Sequence, residues 1–248
     1  MKINDTVKGF RFMSSHSKHR VTDILPRGLV VSCQALPEEP LHSSYIMSRM
    51  AYAAFLGGAV GIRAGGPSDI QAIKQTVSLP IIGIQKTDYE DSPVFITPSW
   101  AEAKAVAESG AEIIALDATD RPRPGGITLA ALVQRIRAEY PTVYLMADVA
   151  SFAEAQQAEA LGFDLIGSTL AGYTADTKGL PLPDVPLIAQ MSTLLSTPII
   201  AEGGIWTLEQ LDAVMEAGAY GVVVGSAITR PMEITKRFFD RLDKHLSE

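Results

Sequence analysis

Two polar residues that close apolar runs have the chemistry to move protons. Lys86 follows P-I-I-G-I, and Glu202 ends P-I-I-A-E. A lysine that emerges from an apolar strand into a partly dry pocket loses some preference for its charged form. It can then serve as a base or as a Schiff-base nucleophile. A fixed cation that binds a ligand is the plainer alternative, and the residue pattern weighs the two equally. Glu202 can act as general acid or base, or it can clamp a neighbouring cation; the pattern alone puts the clamp slightly ahead.

A second chemistry is carried by glycines. Gly203-Gly204 follow Glu202 directly, and Gly225-Ser226 follow the run G-V-V-V. Glycine lets a ligand come close to the backbone, and amides exposed at such loops and at a short helix start hold phosphate. Arg230 lies just beyond the second loop and adds a bidentate cation. Because both loops agree, a phosphate site is preferred over simple turns.

Other apolar runs also end in polar residues: Gln34, Arg63, Asp117, Asp148 and Thr169. With Lys86, Glu202 and Ser226 they would ring one end of a barrel, an arrangement that a polar ligand explains best. Metal chemistry is not expected. Of His16, His19, His42 and His245, none ends a strand, and Cys33 is the sole cysteine. Cys33 lies inside an apolar run and reads as a small core residue.

The elements that must position these groups recur about every thirty residues. Short β-branched runs begin near Leu29, Ala59, Pro80, Ile113, Val143, Leu165, Pro198 and Gly221. They show little alternation, as fully buried parallel strands do. Helical stretches intervene, such as Ser99 to Glu108, Ser151 to Ala160 and Thr207 to Ala217. These stop at Gly110, Gly162 and Gly218. Eight strand–helix units without a linker predict an α/β fold of (β/α)8 TIM-barrel type, a single catalytic domain over residues 27–248. A doubly wound open sheet is the alternative, but no G-x-G-x-x-G follows the first strand. Residues 1–26, with the basic cluster His16 to Arg20, form an extension for which covering the barrel floor and staying mobile are both open, and a solvated tail is preferred over a binding patch.

The formal net charge of the 248 residues is −7. That argues against nucleic acid or an anionic membrane as partner, so an anionic ligand must be caught by local cations and amides. No apolar run is long enough to span a bilayer, and no signal peptide is expected at the amino terminus. A cytoplasmic location and, by default, a homodimer are the expectations.

Longer strings resemble a known family. They are V-S-C-Q-A-L-P from Val31, G-G-A-V-G-I-R from Gly57, P-I-I-G-I-Q-K from Pro80, A-L-D-A-T from Ala115 and M-A-D from Met146. To these add G-S-T-L-A-G-Y-T from Gly167, I-A-E-G-G from Ile200 and G-S-A-I-T-R-P from Gly225. Together, from about Leu25 to Phe239, they resemble N-acetylmannosamine-6-phosphate 2-epimerase. The resemblance implies interconversion of N-acetylmannosamine 6-phosphate and N-acetylglucosamine 6-phosphate in the breakdown of sialic acid or related amino sugars. It also implies a phosphosugar substrate and no metal or cofactor.

The resemblance puts the catalytic lysine on Lys86 and the catalytic glutamate on Glu202. Ligand contacts fall on Gln34, Arg63, Asp148 and Arg230, and Thr169 and Tyr173 join them as substrate contacts. Gly203, Gly204, Gly225, Ser226 and Arg230 would take the phosphate. Thr87 and Gly204 depart from the family pattern, where arginine and asparagine are frequent. Three rivals are another phosphosugar epimerase, a Schiff-base lyase and a phosphosugar-binding protein that has lost catalysis. Pentose-phosphate epimerases rely on strand-end histidines that are missing here, and retention of both Lys86 and Glu202 speaks against a binding protein.

Overall fold

The structure is a computed structural model and describes residues 20–247. Eight parallel strands close on themselves in chain order, β1 pairing with both β2 and β8. They are β1 Leu29–Cys33, β2 Gly61–Gly65, β3 Ile81–Ile84, β4 Ile113–Asp117, β5 Tyr144–Asp148, β6 Leu165–Gly167, β7 Ile199–Glu202 and β8 Gly221–Val224. The helices are α1 Val21–Ile24, α2 Ser44–Leu56, α3 Pro67–Lys74, α4 Trp100–Glu108, α5 Leu129–Glu139, α6 Phe152–Ala160, α7 Val185–Leu194, α8 Leu208–Glu216, α9 Ser226–Thr229 and α10 Pro231–Leu246. Closure makes this a (β/α)8 barrel, with no open edge to the sheet.

The strands lack visible alternation because both faces are covered, yet their period of two still sorts the side chains. Val31, Ile62, Ile114, Leu116 and Leu145 belong to a core between strands and helices. Val30, Ile82, Ile84, Ala115, Met146 and Ile200 belong to a second core inside the barrel. Continuing the inward set by two residues gives Ser32, Lys86, Asp117, Asp148 and Glu202. Polar groups at the carboxyl ends therefore point inward for the same reason that the isoleucines below them do.

The opposite end is closed by the segment before β1. Val21 and Leu25 are buried in the inner core, and the Tyr220 hydroxyl donates to the Leu25 carbonyl at 2.8 Å. Gly61 makes room for this plug, since a Cβ there would stand 2.7 Å from Leu25 Cδ1. Burial of Leu25 contributes roughly 1.5–3 kcal/mol. Residues 21–25 thus take the barrel-floor place that was one of the two left open for the extension, because two apolar side chains find the inner core. Residues 1–19 of the extension, including His16 to His19, lie outside the described residues.

Helix starts follow local chemistry. Ser99, Ser151 and Thr207 form capping boxes with Glu102, Glu154 and Gln210. Each such cap is worth about 1 kcal/mol. Cys33 is fully buried against the α2–α3 side, and its thiol is pushed up to about 12 by burial and, secondarily, by Asp69. Among the described residues, no helix is long and apolar enough to cross a membrane. One helix departs from ordinary barrel packing: α10 buries no residue, and Phe238, Phe239, Leu242 and Leu246 are all more than half exposed.

Candidate active site

The carboxyl end of the barrel opens into a cleft of about 470 Å³. Its wall at β3 is built by the loop that follows. Thr87 N–H donates to Phe95 O at 3.0 Å and Thr97 N–H to Gln85 O at 2.8 Å, so the loop returns antiparallel on itself. Thr97 takes a left-handed φ of 46°, and its hydroxyl oxygen accepts from Gln85 N–H at 3.2 Å. This turn sets Lys86 at the cleft, with Phe95 and Ile96 beside it.

The same loop removes Asp117 from the site. Ile96 O accepts from Asp117 N–H at 3.0 Å, which roofs β4. The Asp117 carboxylate, fully buried, takes Thr119 Oγ1 at 2.7 Å and Arg121 Nη2 at 2.6 Å. The expected ring of eight polar strand ends therefore has a gap at β4, filled by Ile96.

Arg63 organises the opposite part of the floor. Its Nη1 and Nη2 donate to the two Asp148 oxygens at 3.1 and 2.6 Å, and Nη1 also donates to Glu202 Oε2 at 2.8 Å. Thr169 Oγ1 lies 2.7 Å from Asp148 Oδ1 and 3.1 Å from Glu202 Oε2. Arg63 and Asp148 are almost fully buried, whereas Glu202 and Thr169 reach the cleft surface. Asp148, expected as a ligand contact, lies behind Arg63 and lines no part of the cleft. One guanidinium thus faces two carboxylates in a poorly solvated place, and one of them titrates unusually.

Burial pushes the Glu202 carboxyl up to about 7. Asp148 adds to that push, while Arg63, the Thr169 hydrogen bond and Lys86 oppose it. Lys86 moves the other way, below the usual lysine value. Crowding by the cleft walls is the first cause and the Arg63 charge the second, with Glu202 opposing. Its ammonium makes no hydrogen bond or ion pair with another described residue and is open to solvent in the cleft. Burial works against the Arg63 charge, but Asp148 and Glu202 outweigh it and hold that group firmly protonated. Two groups with values drawn toward neutrality therefore face one cavity, as acid–base pairs do.

The third wall is glycine-rich. Gly203 and Gly204 take φ of 107° and 71°, and Gly225 precedes Ser226 at the start of α9. The amides of Gly203, Gly204 and Gly225 donate to no main-chain acceptor among the described residues. Gly204 also needs to be small, since a Cβ there would stand 2.2 Å from Leu182 Cβ. The asparagine frequent at this position in the resembled family would collide with Leu182 in this conformation. Gln34, Tyr173 and Arg230 complete the lining.

Several lining residues were not anticipated. Ser32 follows from the inward period of β1, and its hydroxyl accepts from Gln34 Nε2 at 2.8 Å. Trp206 follows the Gly203-Gly204 pair closely enough to have been suspected. Phe95, His42 and Glu39 come from loops and give no sequence signal. Glu39 matters most, because it pairs with Arg230. No group of three or more His, Cys, Asp or Glu side chains among the described residues is arranged to hold a metal ion.

With this geometry the chain compares closely with known proteins. The sequence model of a family described as "Putative N-acetylmannosamine-6-phosphate epimerase" matches residues 47–244. A protein of Enterobacter sp. (strain 638), described as "Putative N-acetylmannosamine-6-phosphate 2-epimerase", is 54% identical over 227 residues, covering 91% of this chain and 97% of its own. A Listeria welshimeri protein of the same description is 53% identical over 231 residues, covering 92% and 98%. The solved structure of the N-acetylmannosamine-6-phosphate 2-epimerase from Clostridium perfringens is 47% identical. It superposes with a TM-score of 0.86 over 92% of this chain and 98% of that one. A thiamine phosphate pyrophosphorylase from Pyrococcus furiosus, 18% identical with a TM-score of 0.57, shares the fold alone.

Proposed function

The chain belongs to the N-acetylmannosamine-6-phosphate epimerase family, and from that premise we propose that it interconverts N-acetylmannosamine 6-phosphate and N-acetylglucosamine 6-phosphate. It is an isomerase of amino-sugar breakdown, including that of sialic acid. The observation that carries the reading is that Lys86 and Glu202 face one cleft from opposite sides, just past the end of β3 and at the end of β7 in an eight-strand ring.

The C2 proton is acidic only when C1 is an open-chain aldehyde, so the ring must open first. Glu202, with its carboxyl near neutrality, suits both halves of that work: it can give a proton to the ring oxygen and take one back. Lys86, its amine made easier to deprotonate by crowding, takes or returns the C2 proton. Inversion needs delivery to both faces of a planar enolate, and two groups rising from opposite strands suit that requirement. Both Nη1 donors and one Nη2 donor of Arg63 are engaged by Asp148 and Glu202 and Nε is buried, which leaves the second Nη2 N–H as its one donor for the substrate. Its contribution is its charge near the developing enolate and its hold on Glu202. Asp148 and Thr169 keep Arg63 and Glu202 in place. The glycine loops, Ser226 and Arg230 take the 6-phosphate, and Gln34 and Tyr173 contact the sugar.

Residues 27–248 constitute the catalytic barrel and residues 1–26 its extension, in a cytoplasmic enzyme that needs neither metal nor cofactor. Nucleic acid and membranes are not its partners. A homodimer is supported by the uncovered apolar side of α10, which a second copy could shield.

Proton NMR of N-acetylmannosamine 6-phosphate with the protein in deuterated water tests the reading. The expected result is loss of the C2 proton signal as the N-acetylglucosamine epimer accumulates. Two-base delivery labels the product well ahead of the recovered substrate. Absence of both epimer and exchange would overturn the proposal.

A further inference from the structure

Arg230 sits at the junction of α9 and α10, and its guanidinium turns onto the loop between β1 and α2. Nε donates to Glu39 Oε1 at 2.7 Å, and Nη2 donates to the same oxygen. The other carboxylate oxygen accepts Leu36 N–H at 2.7 Å. The loop is braced by Glu39 N–H to Leu36 O at 2.9 Å and by His42 N–H to Glu39 O at 3.0 Å. Both side chains line the cleft, Glu39 being only 9% exposed and Arg230 31%. A carboxylate held on the wall that receives an anion is costly to affinity. A site built for tight binding alone would leave Arg230 free.

We propose that Glu39 is a charge gate that makes this wall select doubly charged over singly charged oxyanions. The inference rests on the reading of Gly203, Gly204, Gly225, Ser226 and Arg230 as a phosphate site. An entering anion must either take Arg230 from Glu39 or share it while lying beside a fixed negative charge. A singly charged group, such as a sugar carboxylate or a sulfate monoester, returns to Arg230 no more than Glu39 already gives. A phosphomonoester dianion brings a second charge to Arg230 and to the open amides, so it alone gains by the exchange. Glu39 is then a specificity-determining residue for phosphosugars against acidic sugars of similar size.

Methyl phosphate and methyl sulfate test the gate, because they share a shape and at about pH 8 carry roughly two charges and one. Titration calorimetry on the full chain measures their affinities without depending on turnover. The wild type should prefer methyl phosphate. Glu39→Gln keeps an acceptor for Leu36 N–H but removes the charge. The preference should shrink by about fivefold, the worth of one partly exposed charge pair, mainly through tighter methyl sulfate binding. Glu39→Ala must shift the ratio in the same direction, which covers a misfolded glutamine variant. An unchanged ratio in both variants overturns the gate while leaving the phosphate site standing. A wild type that binds neither probe overturns the phosphate reading and the gate with it.

Discussion

Replacing Glu202 with glutamine removes a group that the fold holds at an unfavourable charge near neutral pH. Burial and the adjacent Asp148 raise its carboxyl from 4.5 to about 7, with Arg63, Thr169 and Lys86 only partly offsetting them. A carboxyl whose folded value exceeds its unfolded value supports the fold fully below the unfolded value. That support is lost as pH rises through the folded one. Each tenfold change in acidity between the two states is worth about 1.4 kcal/mol, so the wild type should lose about 2–3 kcal/mol from this group between about pH 5 and pH 9. Glutamine does not titrate, and it keeps an acceptor for Arg63, which lies 2.8 Å from Oε2. At the acid end it replaces a protonated carboxyl, which is likewise a neutral acceptor, so the exchange is close to neutral there. The variant should therefore be level with the wild type at the acid end and about 2–3 kcal/mol more stable than it at the alkaline end. Guanidinium unfolding of both proteins at the two pH values reads the difference directly. Turnover measured alongside should fall by about 10²–10⁴-fold. If the stability gap did not widen with pH, the raised Glu202 value would be wrong. The case for Glu202 as an acid and base near neutrality would then go with it.

Lys86→Met should abolish deuterium exchange at C2 and cut turnover by about 10²–10⁴-fold, while leaving unfolding curves and methyl phosphate affinity close to wild type. Exchange that persisted at the wild-type rate would hand the proton to another group. Gly204→Ala should cost roughly 1–3 kcal/mol and raise KM, because it adds a Cβ against Leu182 at a left-handed position. An alanine variant with unchanged stability and KM would show that the loop is not held by that contact.

Much of this barrel was legible because strand burial is a property of composition. Runs such as L-V-V-S-C and I-I-A-L-D begin within a residue or two of the observed strands, and β1 and β4 start where their runs do. Helix ends were legible through single residues: Ser99, Ser151 and Thr207 as caps, and Gly110, Gly162 and Gly218 with φ of 93°, 79° and 95°. Strand-end groups were legible as a set, since they inherit the inward period of the strand beneath them. The depth at which each one sits was not. Asp117 and Asp148 occupy the same register in β4 and β5, yet one is roofed by Ile96 and the other pinned beneath Arg63. Those positions depend on loops whose paths no periodicity records. The pairing of Glu39 with Arg230 was hidden for the same reason, since it joins residues from the two ends of the chain. The exposed side of α10 was also unread, because an amphipathic helix looks the same in sequence whichever neighbour covers it.

Cys33 gives the protein a practical property. Its thiol is sealed beneath α2 and pushed up to about 12, so only about one in 10⁴ is ionised at about pH 8. Maleimides and iodoacetamide, which need an accessible thiolate, should pass it by while the barrel is closed. It is also the sole cysteine of the chain. A cysteine placed at an exposed position such as Tyr173, at the lip of the cleft, would therefore take a fluorophore or spin label alone, with no native thiol to remove first. The silent sulfur has a second use: once the barrel opens it becomes reactive, so its labelling rate is a clock for unfolding.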